Sequence, residues 1–163
     1  MTGWRIGYIA ASKEIAKGIS KVQSQATHHP ANASQIAAKA AIDGGLDYTM
    51  MMNKEFIKRR DFVLSELRSI EGVRVPTPQG AFYVFPDVGP YIGRSFNGKK
   101  INDSIDLCAY LLEEQLIAIV PGAAFGADTC VRLSYATSMD NLEGALSRLK
   151  AGLAQLEIES ISV

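Results

Sequence analysis

The chain has 163 residues, 47% of them hydrophobic and 21% charged, proportions of an ordinary soluble globular domain with a sizeable core. Lysine and arginine together number 17, as do aspartate and glutamate, so charge gives no case for nucleic acid or an anionic membrane surface as partner. No apolar run approaches a membrane span, and Trp4-Arg5 interrupts the one N-terminal stretch that could pass for a signal peptide.

Residues 4–11 read as a buried strand. Ser12 is a candidate N-cap with Glu14 in the first turn, and Ile15, Ile19, Val22 and Ala26 recur at helical spacing, which predicts a helix to about residue 25. Thr27-His28-His29-Pro30 breaks it, because proline disfavours helix at the residue before it. An alanine-rich helix follows over residues 31–42 and stops at Gly44-Gly45. A long helix is predicted over residues 47–70, with Met52, Phe56, Val63, Leu67 and Ile70 on its apolar face. Arg59 and Arg60 read as solvated surface of that helix.

Beyond Gly72 the pattern changes to short strands. These are expected at residues 73–75, 80–86, 117–120 and 130–135, with an exposed glycine-rich loop at 89–100. A helix is expected over residues 103–115, with Ile105, Cys108 and Leu112 inward. In the last strand the period of two puts Cys130, Arg132 and Ser134 on one face and Val131, Leu133 and Tyr135 on the other. The final helix starts near Met139 with Ser138 as N-cap, and Leu142, Leu146, Leu149, Leu153 and Leu156 form a continuous stripe. Helices packed on a small sheet make an α+β unit, preceded by an N-terminal piece.

The candidate site residues are arginines. Arg5 lies within an apolar stretch, where a five-donor fork needs either a carboxylate or a phosphate to satisfy it. Arg132 sits mid-strand, where an arginine is usually exposed or paired across the sheet. The adjacent His28 and His29 do not share a helical face, which argues against a metal site between them. Cys108 and Cys130 are far apart, at no metal-ligand spacing and set among apolar residues; they read as two buried thiols in a reducing, cytoplasmic setting. Lys13, Lys21 and Lys39 lie on amphipathic helices facing water.

Four segments carry a resemblance: Met1-Thr2-Gly3-Trp4-Arg5-Ile6-Gly7-Tyr8, Pro78-Gln79-Gly80-Ala81-Phe82-Tyr83, Pro121-Gly122-Ala123-Ala124-Phe125-Gly126 and Arg132-Leu133-Ser134-Tyr135-Ala136-Thr137. In this order they resemble the class I (fold type I) pyridoxal-phosphate aminotransferases, aspartate aminotransferases above all, and the likeness covers the whole chain. It implies that Arg5 binds the phosphate of pyridoxal 5'-phosphate and Arg132 the substrate α-carboxylate. The Gly-Ala-Phe-Tyr and Pro-Gly-x-x-Phe-Gly segments are read as structural, with Gly80 and Phe82 candidates for the substrate entrance. The chain departs from the family at His28-His29, where related enzymes carry a small polar residue and asparagine in a loop that reaches the neighbouring subunit's phosphate.

The resemblance further implies a division of the chain. Residues 1–45 correspond to a remnant of the large cofactor-binding α/β domain, 46–70 to the interdomain linker helix, and 71–163 to the C-terminal small domain, helices on a small, mostly antiparallel sheet. The lysine that holds the cofactor as a Schiff base is expected four residues before Met1, so no catalytic residue lies in this chain. The expectation is an enzyme, a transaminase moving an amino group between an amino acid (aspartate or glutamate) and a 2-oxo acid. It is cytoplasmic and homodimeric when intact, and inactive and self-associating as this chain alone. The alternative is a free-standing binding or assembly module derived from the small domain.

Overall fold

The computed structural model describes residues 1–158. It divides into two compact units, Met1–Met51 and Met52–Val163.

The first unit opens on a 3-10 turn, Thr2–Trp4, followed by α1 (Lys13–Ala26) and α2 (Asn32–Asp43). Ser12 precedes α1 and Glu14 lies in its first turn, complementing the positive helix end. The helix closes at Thr27, whose amide donates to the Gln23 carbonyl at 3.0 Å. α2 closes at Gly44, and Gly45 then takes a left-handed φ of 79°. The strand expected at residues 4–11 does not form, and nearly all of that segment is exposed. The reason is pairing: the unit holds no second strand, and a lone extended segment has no ladder for its backbone groups. Ser34 is the one buried residue of this unit, and its hydroxyl donates to the Trp4 carbonyl at 3.0 Å. Ile15, Val22, Ile36 and Ile42 are all exposed, so the unit has no apolar core of its own.

α3 (Asp47–Arg68) spans the boundary between the units. In the second unit its Val63, Leu64 and Leu67 are buried, followed by Ile70. β1 (Tyr83–Val84) comes next, then a hairpin of β2 (Ser95–Phe96) and β3 (Lys99–Lys100). α4 (Ser104–Gln115), β4 (Val120–Pro121), β5 (Val131–Ser134) and α5 (Met139–Ala154) complete the chain order. β5 lies between β1 and β4, antiparallel to both, with Tyr83 opposite Ser134 and Val120 opposite Arg132. The result is an α+β fold whose core is Leu67, Leu107, Leu111, Leu149 and Leu153, each 2% exposed or less. All five leucines of the predicted α5 stripe are buried. Asp103 caps α4 by accepting from the Ile105 and Asp106 amides, and Ser138 caps α5 by accepting from Asn141.

Several expectations are corrected. The strand at 73–75 reduces to one bridge, Arg74 opposite Asp87. The strand at 80–86 shortens to Tyr83–Val84, because Ala81 takes a left-handed φ of 59° and turns the chain. The expected strand at 117–120 pairs only at Val120–Pro121. The supposed loop at 89–100 is a 3-10 turn and a hairpin, with Tyr91 and Ser95 buried. Asn97 (φ 48°) and Gly98 (φ 78°) supply the two left-handed residues of a two-residue turn. In α4 the inward face is Ser104, Leu107, Cys108 and Leu111, while Ile105 and Leu112 are exposed. Cys108 is buried and free, but Cys130 is half-buried. Burial alone pushes the Cys108 thiol up to about 11.

Candidate carboxylate and phosphate sites

Arg132 stands in the middle strand of the three-stranded sheet. The register places Tyr83 opposite Ser134, so Tyr83 is a diagonal neighbour of Arg132 on the same sheet face. The Arg132 guanidinium carbon lies 4.6 Å from the Tyr83 ring centroid. It also lies 4.8 Å from the Phe125 ring centroid. Both distances are within the range in which a ring face attracts a guanidinium. Among the described residues no carboxylate pairs with Arg132 and no hydrogen bond engages its fork. A half-buried cation is thus fixed by aromatic faces while its five donors stay free. That arrangement suits a planar anion, which accepts two parallel N–H bonds and is thereby oriented as well as bound.

Phe125 reaches this place from a 3-10 turn, Gly122–Phe125, that ends at Gly126 with φ 74°. Phe85 meets Phe125 edge to face at 5.8 Å. On the other side of Tyr83, Phe82 packs at 4.5 Å and in turn stacks on Phe56 of α3 at 6.2 Å. Tyr135 closes this aromatic group. Its ring sits 6.1 Å from Phe56, and its hydroxyl donates to the Ala81 carbonyl at 3.1 Å. Burial raises the Tyr135 pKa, with the Arg60 charge working in the opposite direction.

Arg59 and Arg60 depart from the solvated reading: both are half-buried. Arg59 covers the Phe56 ring at 5.7 Å, and its buried Nε has no hydrogen-bond partner. Arg60 pairs with Asp61 at 2.7 Å. The Phe56 ring draws the Arg59 stem inward.

Arg5 belongs to the first unit. It is exposed and ends the 3-10 turn with a left-handed φ of 52°, not on a buried strand as expected. Its Nη1 makes a 3.5 Å contact to the Thr2 carbonyl, and no acid among the described residues pairs with it. Ser34 holds the preceding Trp4 carbonyl and so anchors the turn to α2. His28 has φ 64° and is exposed, and a His29 ring nitrogen lies 3.0 Å from the Pro30 carbonyl. Every lysine of the chain is exposed. Among the described residues there is no group of three metal-ligating side chains, and no helix is long and apolar enough to cross a membrane.

An α+β unit with an uncommitted arginine fork on its central strand is the architecture observed. Comparison with known proteins makes the class specific. Residues 1–149 match the model of the class I and II aminotransferases, and the chain belongs to that family. It is 44% identical over 161 residues to a bifunctional aspartate aminotransferase and glutamate/aspartate-prephenate aminotransferase of Petunia hybrida, covering 96% of this chain and 34% of that protein. It is 43% identical over 157 residues to an aspartate aminotransferase of Rhizobium meliloti, covering 96% of this chain and 38% of that one. The crystal structure of the aspartate aminotransferase from Rhizobium meliloti superimposes with a TM-score of 0.85 at 42% identity, covering 96% of this chain and 40% of that one. An aromatic aminotransferase from Pyrococcus horikoshii superimposes at 0.77 with 33% identity, covering 95% and 40%. The chain thus spans between a third and two fifths of the length of these relatives.

The family implies pyridoxal phosphate. The donor set fits one part of that group: Arg5 is a cation with free N–H donors and no competing acid, as a phosphate requires. Among the described residues no lysine is buried.

Proposed function

We propose that this chain is the share of an aspartate aminotransferase-like enzyme that orients the substrate and anchors the cofactor phosphate. Arg132 takes the α-carboxylate of the amino acid and later of the 2-oxo acid. Arg5 takes the phosphate. The observation that carries the reading is the Arg132 guanidinium in contact with the rings of both Tyr83 and Phe125, with no hydrogen bond to its fork among the described residues. An exposed arginine loses side-chain entropy when it meets an anion, and one already stacked in place loses less. A two-point clamp on the carboxylate fixes the rotation of the substrate and so aligns its α-hydrogen for removal.

The bound cofactor would supply the electron sink for that proton transfer. The group that moves the proton is not in this chain. A lysine in that role needs a lowered pKa, hence burial or cationic neighbours, and every lysine here is exposed. In this reading the lysine lies N-terminal to residue 1. Residues 1–45 then belong to the large cofactor domain, 46–70 to the linker helix and 71–163 to the small domain. The intact enzyme would be a cytoplasmic homodimer, and aspartate, glutamate and their 2-oxo acids the substrates, in keeping with the relatives' names.

A second reading is a free-standing assembly module, favoured by the apolar surface that the first unit leaves exposed. Under it Arg5 and Arg132 have no anion to bind. Borohydride reduction of the chain with pyridoxal phosphate tests the absence of a catalytic lysine. Scattered, substoichiometric labelling is expected; stoichiometric labelling of one lysine would overturn it.

A further inference from the structure

Phe125 contributes more than packing. Its ring is half-exposed, at 50%, so it is not a core side chain. Yet the turn that carries it is fastened at several points. The Ala123 amide donates to the Ser104 hydroxyl at 3.1 Å, and Ser104 is completely buried at the start of α4. The Gly122 amide donates to the Cys130 carbonyl at 2.8 Å, and the Ala127 amide to the Gly122 carbonyl at 3.0 Å. A Cβ on Gly122 would lie 2.2 Å from the Ala127 carbonyl oxygen, so the backbone is as close as it can come. A fastened turn that presents a half-exposed ring needs a use for the ring, and the Arg132 guanidinium carbon lies 4.8 Å from its centroid.

We infer that Phe125 is a positioning residue for the carboxylate clamp: with Tyr83 it holds the Arg132 guanidinium in place and so sets where a carboxylate is gripped. This inference rests on reading Arg132 as that clamp. Tyr83 alone would leave the guanidinium free to swing off one ring face. Two ring contacts, at 4.6 and 4.8 Å, restrict it more than one does. Ser104 and Gly122 act at one remove, by holding the turn.

The test uses this chain, with succinate as the carboxylate probe. Affinity is read from the backbone amide shifts of Tyr83 and Ser134, and Arg132 mobility from the relaxation of its Nε–H signal. In Phe125→Leu the Arg132 side chain is expected to gain mobility and succinate to bind about five-fold more weakly, the size of an exposed cation–ring contact. The thermal midpoint should be unchanged, and Phe125→Tyr should restore both readouts. Unchanged succinate affinity and Arg132 mobility in Phe125→Leu, while Arg132→Leu abolishes binding, would overturn the inference and leave the clamp standing. Failure of Phe125→Tyr to restore them would also overturn it, since the ring would not be what matters. No saturable response in the unaltered chain, or an undiminished one in Arg132→Leu, would overturn the clamp itself and the inference with it.

Discussion

At the scale of single residues, the site shows which charges serve the fold and which do not. Asp87 is bound into the structure: it accepts from the Gly89 amide at 2.9 Å and pairs with Arg74 at 2.8 Å. The Gly89 hydrogen bond is the largest cause holding its carboxyl below the usual aspartate value, with Thr129 and Arg74 adding to it against the desolvation of burial. A carboxyl whose folded pKa is depressed gives stability above its unfolded pKa and loses it as pH falls through the folded value. Asp87→Asn should therefore lower the unfolding midpoint of the second unit at about pH 6, and the gap should close by about pH 2; a gap that persists in acid would assign the effect to packing. Arg132 behaves in the opposite way. It is half-buried with no acid partner, so removing it should leave the folded unit no less stable. Arg132→Leu is expected to shift the midpoint by zero or upward, and a clear loss of stability would mean that the residue is structural.

At the scale of elements, the tightest constraint is the turn before β5. Gly122→Ala places a Cβ about 2 Å from two backbone carbonyls that cannot retreat, and should destabilise the second unit by about 3 kcal/mol or more; denaturant unfolding that matches the parent would contradict the close approach. The legibility of the fold follows from how local each signal is. α1, α2, α3 and α5 are legible because caps, glycine stops and the leucine stripe lie within a few residues of each other. The phase of α4 is not, because its first inward residue is the polar Ser104, and a hydrophobic reading starts the stripe one residue late at Ile105. The β2–β3 hairpin had a readable signal in Asn97-Gly98, hidden by the polar residues around it. The strand at residues 4–11 fails for a non-local reason, since its apolar pattern asks for neighbours that the first unit does not contain. The candidate site is legible in its arginines and not in its rings. Tyr83 and Phe125 meet Arg132 only through strand register and a distant turn, and neither is encoded by local spacing.

At the scale of the molecule, the two units differ in kind. The second buries a continuous core, whereas the first leaves Tyr8 81% exposed and Ile36 71% exposed and buries only Ser34. Apolar surface of that extent associates in water, so the chain should sediment as a dimer or larger species at micromolar concentration, and a stable monomer would contradict that expectation. A chain that spans about two fifths of its Rhizobium meliloti relative and overlays it with a TM-score of 0.85 should be able to stand in for the matching part. The direct measurement is transamination between aspartate and 2-oxoglutarate by a chimera in which this chain replaces that segment, compared with its Arg132→Leu variant. An active chimera is expected, with kcat/KM falling on the order of 100-fold or more when the arginine is lost. A folded chimera that binds the cofactor but has no activity, or one indifferent to the loss of Arg132, would contradict it.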